Sequence, residues 1–292
     1  MGGLQCTQAC DTGVAPTVKE STSATSTAPR NPLKIGATIP DYAVSTTHGD
    51  FNLHTWLKGD GSNPWTVLLS HPGDFTPVCT TELGECEIMV ERFAKLRTKL
   101  IGISCDSVDE HRSWSKDILH RVQHQRQHHH GSGETDHHVV DPAADALSFP
   151  IIADSDRRIV KELGMIDPDE VDGKGDPLPA RALVILFSTT VKLTILYPAT
   201  TGRNFDEILR VLTSLQLTHN NGLATPVNWS YGERVIVGPP MSTAVAKEKY
   251  SDFHVEQLPS GKEYLRSVKC PPSAQQPPTT PTGASRTLGE GK

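Results

Sequence analysis

A short apolar strand followed by a well-marked helix start is the feature that most constrains this chain. Thr66–Ser70 is typical of a buried strand, and Thr76 then offers a good N-cap with Pro77 at the first helical position. Cys79 falls three residues past that cap, where unpaired backbone N–H groups and the positive helix end favour an anion. A thiol placed there ionises more readily than a free cysteine, and the thiolate is the nucleophilic form.

A structural role is the alternative for Cys79, because a free cysteine is commonly a small buried hydrophobe. The Thr-Pro-x-x-Cys context favours the functional interpretation, since the hydroxyl of Thr76, the helix cap and the thiol converge on one point. We therefore predict that Cys79 is a reactive nucleophile at a strand-to-helix turn.

The residues after this unit continue an alternation of strands and helices. Strands are predicted at Lys99–Ser104, Ala182–Phe187 and Leu193–Tyr197. Helices are predicted at Asp109–His120 and from Asn204 onward, where apolar side chains recur at helical spacing: Phe205, Ile208, Leu209, Leu212 and Leu215. This order of elements predicts a layered α/β domain.

The segment from Pro72 to Cys79 resembles the active-site signature of the peroxiredoxins, Pro-x-x-x-Thr-x-x-Cys. Further matches to that family follow in order over about residues 33–268. The segments Tyr197–Arg210 and Ala224–Trp229 are similar to its one-cysteine (1-Cys) subgroup in particular, because typical two-cysteine members carry a resolving cysteine in the second segment. The resemblance implies a thioredoxin-like fold, with a central mixed sheet flanked by helices and a small C-terminal domain.

Changes in composition divide the chain into four parts. Residues 1–32 and 270–292 lack periodicity and are rich in Ser, Thr, Pro or Gly, which predicts disordered tails. Residues 33–222 form the predicted peroxidase domain, with a histidine-rich insertion at 120–141, and residues 223–269 form the C-terminal domain. Dense imidazoles can bind transition metals, but the insertion has no cysteine or ordered spacing, so we interpret it as a solvated loop and assign no metal ligand.

Reduction of a peroxide by a thiolate needs an activated sulfur, groups that orient the peroxide and positive charge for the leaving oxygen. The resemblance implies that Cys79 is the peroxidatic nucleophile and that Pro72 shields its thiolate from water. It also implies that Thr76 donates its hydroxyl and that Arg181 supplies the positive charge. His71 is either a supporting residue of the site or a histidine packed at the strand end. The product at Cys79 would be a sulfenic acid.

The fate of that sulfenic acid depends on a second thiol. Cys86 lies about 10 Å further along the same helix, whereas a disulfide needs Cα atoms within about 7 Å. Cys105 ends a predicted central strand, and Cys270 lies in a segment predicted to be mobile, which leaves its part in resolution open. The simplest interpretation is a 1-Cys mechanism without a cofactor. An external thiol, such as glutathione or another small or protein reductant, then completes the cycle.

Two alternative functions stand beside the peroxidase. A redox sensor or holdase chaperone would use oxidation of Cys79 to change its assembly, with little turnover. A phospholipase A2 activity, described for some 1-Cys members, needs a Gly-x-Ser-x-Gly-like element with a His and an Asp. Here Ser62 has no following glycine and Thr189 stands at the expected aspartate position, which disfavours the hydrolase.

Charge and the termini restrict partners and location. A net charge of −6 and a pI near 6.1 give no reason to expect nucleic acid as a partner. No secretory signal is apparent, and a reducing cytoplasmic compartment is the default expectation. Gly2 is an acceptor for N-myristoylation once Met1 is removed, and Cys6 and Cys10 are candidates for palmitoylation, although Cys6 stands where Ser or Thr is preferred. Acylation and membrane association stay open, and a homodimer is expected from the resemblance alone.

Overall fold

The computed structural model describes residues 32–62, 64–128 and 144–271. Within them the strands are β1 (Ala43–Thr46), β2 (Gly49–Asn52), β3 (Trp65–Ser70), β4 (Thr98–Ser104), β5 (Ile151–Ala153), β6 (Ile166–Val171), β7 (Pro177–Pro179), β8 (Arg181–Phe187), β9 (Thr190–Tyr197), β10 (Leu223–Ala224), β11 (Val235–Val237), β12 (His254–Val255) and β13 (Arg266–Val268). The helices are α1 (Leu53–Lys58), α2 (Pro77–Lys95), α3 (Val108–His128), α4 (Arg158–Glu162), α5 (Phe205–Asn221) and α6 (Thr243–Lys249).

Seven of the described strands form one central sheet, in the order β2-β1-β5-β4-β3-β8-β9. β3, β4 and β5 run parallel to one another, and β8 pairs with β3 in the antiparallel sense. Every residue of β3 is buried, as expected for a central strand with helices on both faces. The predicted thioredoxin-like fold with its mixed central sheet is therefore confirmed.

Two apolar layers cover the two faces of this sheet. Val67 and Leu69 of β3 point into one layer, which contains buried side chains of α2, α3 and α5. Leu68, between them, points into the opposite layer, with buried side chains of α1 and α4. This alternation follows from the two-residue period of a strand. It fixes β3 between the layers, and the end of β3 leads into the turn that carries Cys79.

A second, smaller sheet follows α5, with the strand order β10-β11-β13-β12. It has its own apolar cluster, in which Trp229 is fully buried, and Leu217 near the end of α5 joins that cluster. Cys270, which we expected at the start of a mobile tail, packs partly buried against it.

One difference from the predicted elements concerns the edge of a described region. α3 runs to His128 instead of ending at His120, so the helix continues into the predicted insertion. Residues 129–141 of that insertion, as well as Gly2, Cys6 and Cys10, lie outside the described residues. Of the helices that the structure describes, none combines the length and the apolar character needed to cross a bilayer.

Candidate active site

Cys79 lies in the first turn of α2 and is fully buried. Thr76 occupies the N-cap position and Pro77 begins the helix, as the sequence predicts. The hydroxyl of Thr76 accepts no hydrogen bond from the helix, and Oγ1 instead donates to the carbonyl oxygen of Gly73 at 2.9 Å. The side chain of Thr76 therefore does not occupy the backbone N–H groups of the first turn, which favour an anion near Cys79.

Arg181 reaches Cys79 because β8 runs antiparallel to β3. The register pairs Leu69 with Leu183, so the first residue of β8 lies beside the end of β3. Nη1 of Arg181 is 3.3 Å from Sγ of Cys79, and the arginine is only 3% exposed. A buried positive charge at this distance is placed to stabilise negative charge that develops during a reaction at the sulfur.

The guanidinium of Arg181 is fixed on two sides. Its Nε and Nη2 donate to the carbonyl oxygen of Ala199 at 2.8 and 2.6 Å. Its Nη1 donates to Oε2 of Glu82 at 2.8 Å in addition to facing Cys79. The planar fork of an arginine can make these bonds together, whereas a lysine ammonium cannot.

Glu82 joins Arg181 to a second buried arginine, Arg203. Arg203 donates to Oε1 of Glu82 from Nε at 2.9 Å and to Oε2 from Nη2 at 2.8 Å. Its Nη1 also donates to the carbonyl oxygens of Ser70 and Ala182, which ties the network to β3 and β8. Burial raises the pKa of the Glu82 carboxyl, but the charges and hydrogen bonds of the two arginines outweigh it and hold that pKa below its usual value.

Glu82 and Arg203 are site residues that were not predicted from the sequence. For Glu82 a signal exists, because it follows Cys79 by three positions in a helix and so lies on the same face. Arg203 has no comparable local signal, since its contacts are made with residues more than 20 positions away.

His71 lies directly after β3 and is fully buried, and its Nε2 is 3.0 Å from Oδ1 of Asp74. Nδ1 of His111 in α3 is 2.7 Å from the other oxygen, Oδ2. Burial lowers the pKa of His71, despite the opposing hydrogen bond and charge of Asp74, and so favours the neutral ring. The two histidines outweigh burial at Asp74 and hold the pKa of its carboxyl below the usual value. His71 is thus both packed at the strand end and part of a polar network under the active-site turn.

Pro72 is buried between His71 and Gly73 in the same turn, and its role as a shield of the thiolate stays a prediction.

The other described cysteines are free thiols in less favourable surroundings. Burial raises the pKa of Cys86 well above its ordinary value, raises that of Cys105 to about 12, and also raises that of Cys270. Each of these three thiols is therefore a weak nucleophile near neutral pH.

The residues of the hydrolase alternative make ordinary structural contacts. The backbone N–H of Ser62 donates to Oδ1 of Asp60, and its carbonyl oxygen accepts from Arg97. Nε2 of His54, the histidine in the stretch that corresponds to the hydrolase element, lies 2.8 Å from the carbonyl oxygen of Ile39. These contacts are those of a turn and a helix start, and they give the phospholipase alternative no support.

Comparison with known proteins agrees with this geometry. The AhpC/TSA family matches residues 35–191, and the C-terminal domain of 1-Cys peroxiredoxin matches residues 214–252. A 1-Cys peroxiredoxin of Onchocerca volvulus is 46% identical over 239 residues, which cover 81% of this chain and 97% of that protein.

Two solved structures extend the comparison to the fold. A mutant of peroxiredoxin 6 of Arenicola marina matches with a TM-score of 0.72 and 41% identity, over 82% of this chain and 99% of that one. A yeast mitochondrial 1-Cys peroxiredoxin matches with a TM-score of 0.65 and 32% identity, over 81% of this chain and 99% of that one.

A reactive cysteine held beside an arginine on a thioredoxin-like sheet defines an oxidoreductase of the thiol-dependent peroxidase class. Its substrates are peroxides, its reductant is a thiol, and the redox centre is a cysteine of the chain itself. The chain belongs to the peroxiredoxin family, and its similarity to the 1-Cys subgroup is confirmed.

Proposed function

We propose that this protein reduces hydrogen peroxide and organic hydroperoxides at Cys79 and that an external thiol restores the enzyme. The observation that carries the proposal is the 3.3 Å contact between Nη1 of Arg181 and Sγ of Cys79, made between two buried residues. Charge that develops on the breaking O–O bond would form beside this fixed guanidinium, where it is stabilised most effectively.

In the first step, the Cys79 thiolate attacks the terminal oxygen of the hydroperoxide and the O–O bond breaks. The transferred OH becomes the sulfenic acid, and the other oxygen leaves as alkoxide or hydroxide and takes a proton from solvent. Because the Thr76 hydroxyl gives its proton to Gly73, its oxygen is available to accept the O–H of the bound peroxide. We therefore assign Thr76 an acceptor role instead of the donor role expected from the sequence.

In the second half of the cycle, one external thiol condenses with the sulfenic acid to give a mixed disulfide and water. A second thiol then releases the Cys79 thiolate and leaves as the disulfide of the reductant. Glutathione is our first candidate, and the yeast relative was described with glutathione and thioredoxin systems. The raised pKa values of Cys86, Cys105 and Cys270 support an external thiol over an internal one.

A coupled assay separates this enzyme from a redox sensor or holdase. Purified protein is given hydrogen peroxide and glutathione, and oxidised glutathione is measured with NADPH and glutathione reductase. We expect many equivalents of oxidised glutathione per protein and none above background with Cys79→Ser. One equivalent of oxidised glutathione per protein, with no further turnover, would favour the redox sensor. Repeating the assay with thioredoxin in place of glutathione tests a protein reductant.

Assembly, location and lipidation complete the proposal. We propose a cytoplasmic homodimer, supported by β9, an edge strand of the described sheet that exposes Leu196. If the purified protein sediments as a monomer, the proposed dimer is wrong.

We also propose that N-myristoylation at Gly2, with palmitoylation of Cys6 and Cys10, gives a membrane-associated fraction. Recovery with membranes should disappear in Gly2→Ala, and wild-type protein found wholly in the soluble fraction would contradict acylation.

A further inference from the structure

Four side chains that can bind metal ions meet beneath the active-site turn. His71 and Asp74 come from the turn between β3 and α2, Asp106 follows β4, and His111 lies in α3. One potential ligand atom from each residue falls within 4.8 Å of those of the others. His71, Asp74 and His111 are buried, and Asp106 is half-buried. We propose that this cluster is a binding site for a divalent transition-metal ion, with Zn²⁺ as the preferred ion.

The hydrogen bonds of His111 give the first argument. Its Nδ1 faces the Asp74 carboxylate at 2.7 Å, while its Nε2 lies 3.3 Å from the carbonyl oxygen of Ile152. Both neighbours are acceptors, so the ring either carries a proton on each nitrogen or yields the Nδ1 position to a cation. A metal ion bound at Nδ1 leaves the single proton on Nε2, which then donates to Ile152. This arrangement, with the second ring nitrogen donating to a carbonyl, is the one that metal-bound histidines commonly adopt.

His71 can exchange its proton for a metal ion without losing another hydrogen bond. In the neutral ring a proton on Nε2 is shared with Asp74, and the buried Nδ1 has no partner among the described residues. If Nε2 binds a metal ion, the proton moves to Nδ1, where no existing bond is broken, although the buried N–H finds no acceptor among the described residues.

Charge balance gives the second argument. The cluster contains two carboxyl groups, and within the described residues no lysine or arginine forms an ion pair with Asp74 or Asp106. Buried charges are generally paired or coordinated to metals. A divalent cation would neutralise the cluster, while Ser104 and the backbone N–H of Asp74 already orient the Asp106 carboxylate.

The donor set and the distances favour zinc. Two imidazole nitrogens and two carboxylate oxygens suit Zn²⁺, whereas Ca²⁺ and Mg²⁺ prefer sites built from oxygen alone. Tetrahedral zinc with bonds near 2.1 Å separates its ligand atoms by about 3.4 Å. The ligand atoms of the cluster lie within 4.8 Å of one another, and its two hydrogen-bonded contacts of 2.7 and 3.0 Å would lengthen to about 3.4 Å around a bound ion. Bound zinc would hold together the turn that precedes Cys79, β4 and α3.

Equilibrium dialysis of the full-length chain tests the site. Cys79→Ser serves as the background, so that the active-site thiol cannot bind the metal. In that background, Asp106→Asn and His111→Gln are compared with the matched controls Asp109→Asn and His254→Gln, whose side chains are exposed. We expect the first pair to lose one equivalent of bound Zn²⁺, or to bind it at least about tenfold more weakly, and the controls to be unchanged. Equal stoichiometry and affinity in all five proteins would overturn the proposal.

A second measurement needs no substitution in the cluster and so does not depend on the folding of a cluster variant. Hydrogen exchange of the Cys79→Ser protein is followed with and without Zn²⁺. Slower exchange of the amides in residues 71–76 and 104–111 is the expected result. Protection confined to the histidine-rich residues 120–141, or to no segment, would contradict a site at this cluster. Neither measurement uses peroxidase activity, so the metal site and the proposed enzymatic function can fail independently.

Discussion

Nη1 of Arg181 lies 3.3 Å from Sγ of Cys79, although 102 positions separate the two residues in the chain. The contact exists because the last residue of β3 and the first residue of β8 lie side by side at the same end of these two inner strands. Helix α2, which carries Cys79, begins near that end. The same arginine atom also donates to Glu82. The position of the positive charge at the thiol is therefore set by the pairing of the strands and by a buried carboxylate.

Replacing Arg181 with lysine should slow peroxide reduction. Lysine keeps a positive charge but cannot donate to Ala199, Glu82 and the thiolate together. We expect the second-order rate constant to fall about 10²- to 10³-fold, the range measured when one donor to a transition-state charge is removed. Stopped-flow fluorescence with hydrogen peroxide measures it, with Arg158→Lys as the exposed control. A rate within threefold of wild type would show that the contact is not catalytic.

The oxygen of Thr76 should matter more than its methyl group. Thr76→Val removes the atom that bonds to Gly73 and that we assign to the peroxide O–H, whereas Thr76→Ser retains it. We expect a loss of about 10²-fold or more in the peroxide rate for valine and a rate near that of wild type for serine. Equal losses in the two variants would point to packing of the threonine methyl group instead.

Glu82 should contribute strongly to stability as well as to the site. Glu82→Gln leaves Arg181 and Arg203 buried without their shared countercharge. Breaking a buried ion pair in this way costs about 3–5 kcal/mol. Urea unfolding measures the change, and Glu207→Gln is the matched control, because its pair with Arg210 is partly exposed and worth about 1 kcal/mol or less. Similar losses in the two variants would show that the buried network does not stabilise the fold more than a surface pair.

Stability should decrease as the pH falls, in two stages. Burial lowers the pKa of His71 below its ordinary value of 6.5. As the pH falls below about 6.5, the unfolded chain binds a proton at this histidine while the folded protein does not, so the free energy of unfolding decreases. The pKa values of Glu82 and Asp74 lie below their ordinary values of 4.5 and 3.8, so their contribution is complete above those values. It is lost as the pH falls through the lowered, folded-state values. Urea unfolding in EDTA at a series of pH values measures this. Below pH 4.5 the free energy of unfolding should fall less in the Glu82→Gln variant than in the wild type. The same decrease in both proteins would show that Glu82 does not contribute to the acid sensitivity.

The sequence predicted those parts of the site that depend on neighbouring residues in the chain, namely the helix start at Cys79 and the strand that follows Arg181. Thr76, Pro77 and Cys79 lie where helix-start preferences place them, and the strand predicted at Ala182–Phe187 from its apolar residues begins one residue earlier, at Arg181. The role of Arg181 came from the resemblance alone, because distance along the chain gives no indication that it meets Cys79. Arg203 was not identified, since its contacts depend on three other elements coming together.

The His71, Asp74, Asp106 and His111 cluster shows the same limit. Its residues come from a turn, a strand end and a helix, so their spacing in the chain matches no metal-binding pattern. The direction of the Thr76 hydroxyl is another feature that the sequence could not give. A threonine at the N-cap position predicts that Oγ1 accepts from a backbone N–H of the helix, but here the side chain turns to Gly73 and donates to its carbonyl oxygen.

The central claim is that Cys79 alone reacts with peroxide and that no cysteine of the chain resolves it. Single-turnover stopped-flow reduction of hydrogen peroxide, followed by mass mapping of the oxidised protein, tests this most directly. Cys79→Ser is compared with Cys86→Ser and Cys270→Ser. We predict that fast reduction disappears only in Cys79→Ser and that the wild-type product is a sulfenic acid at Cys79, without an intramolecular disulfide. Fast reduction retained in Cys79→Ser, or a mapped disulfide between Cys79 and another cysteine, would contradict the account.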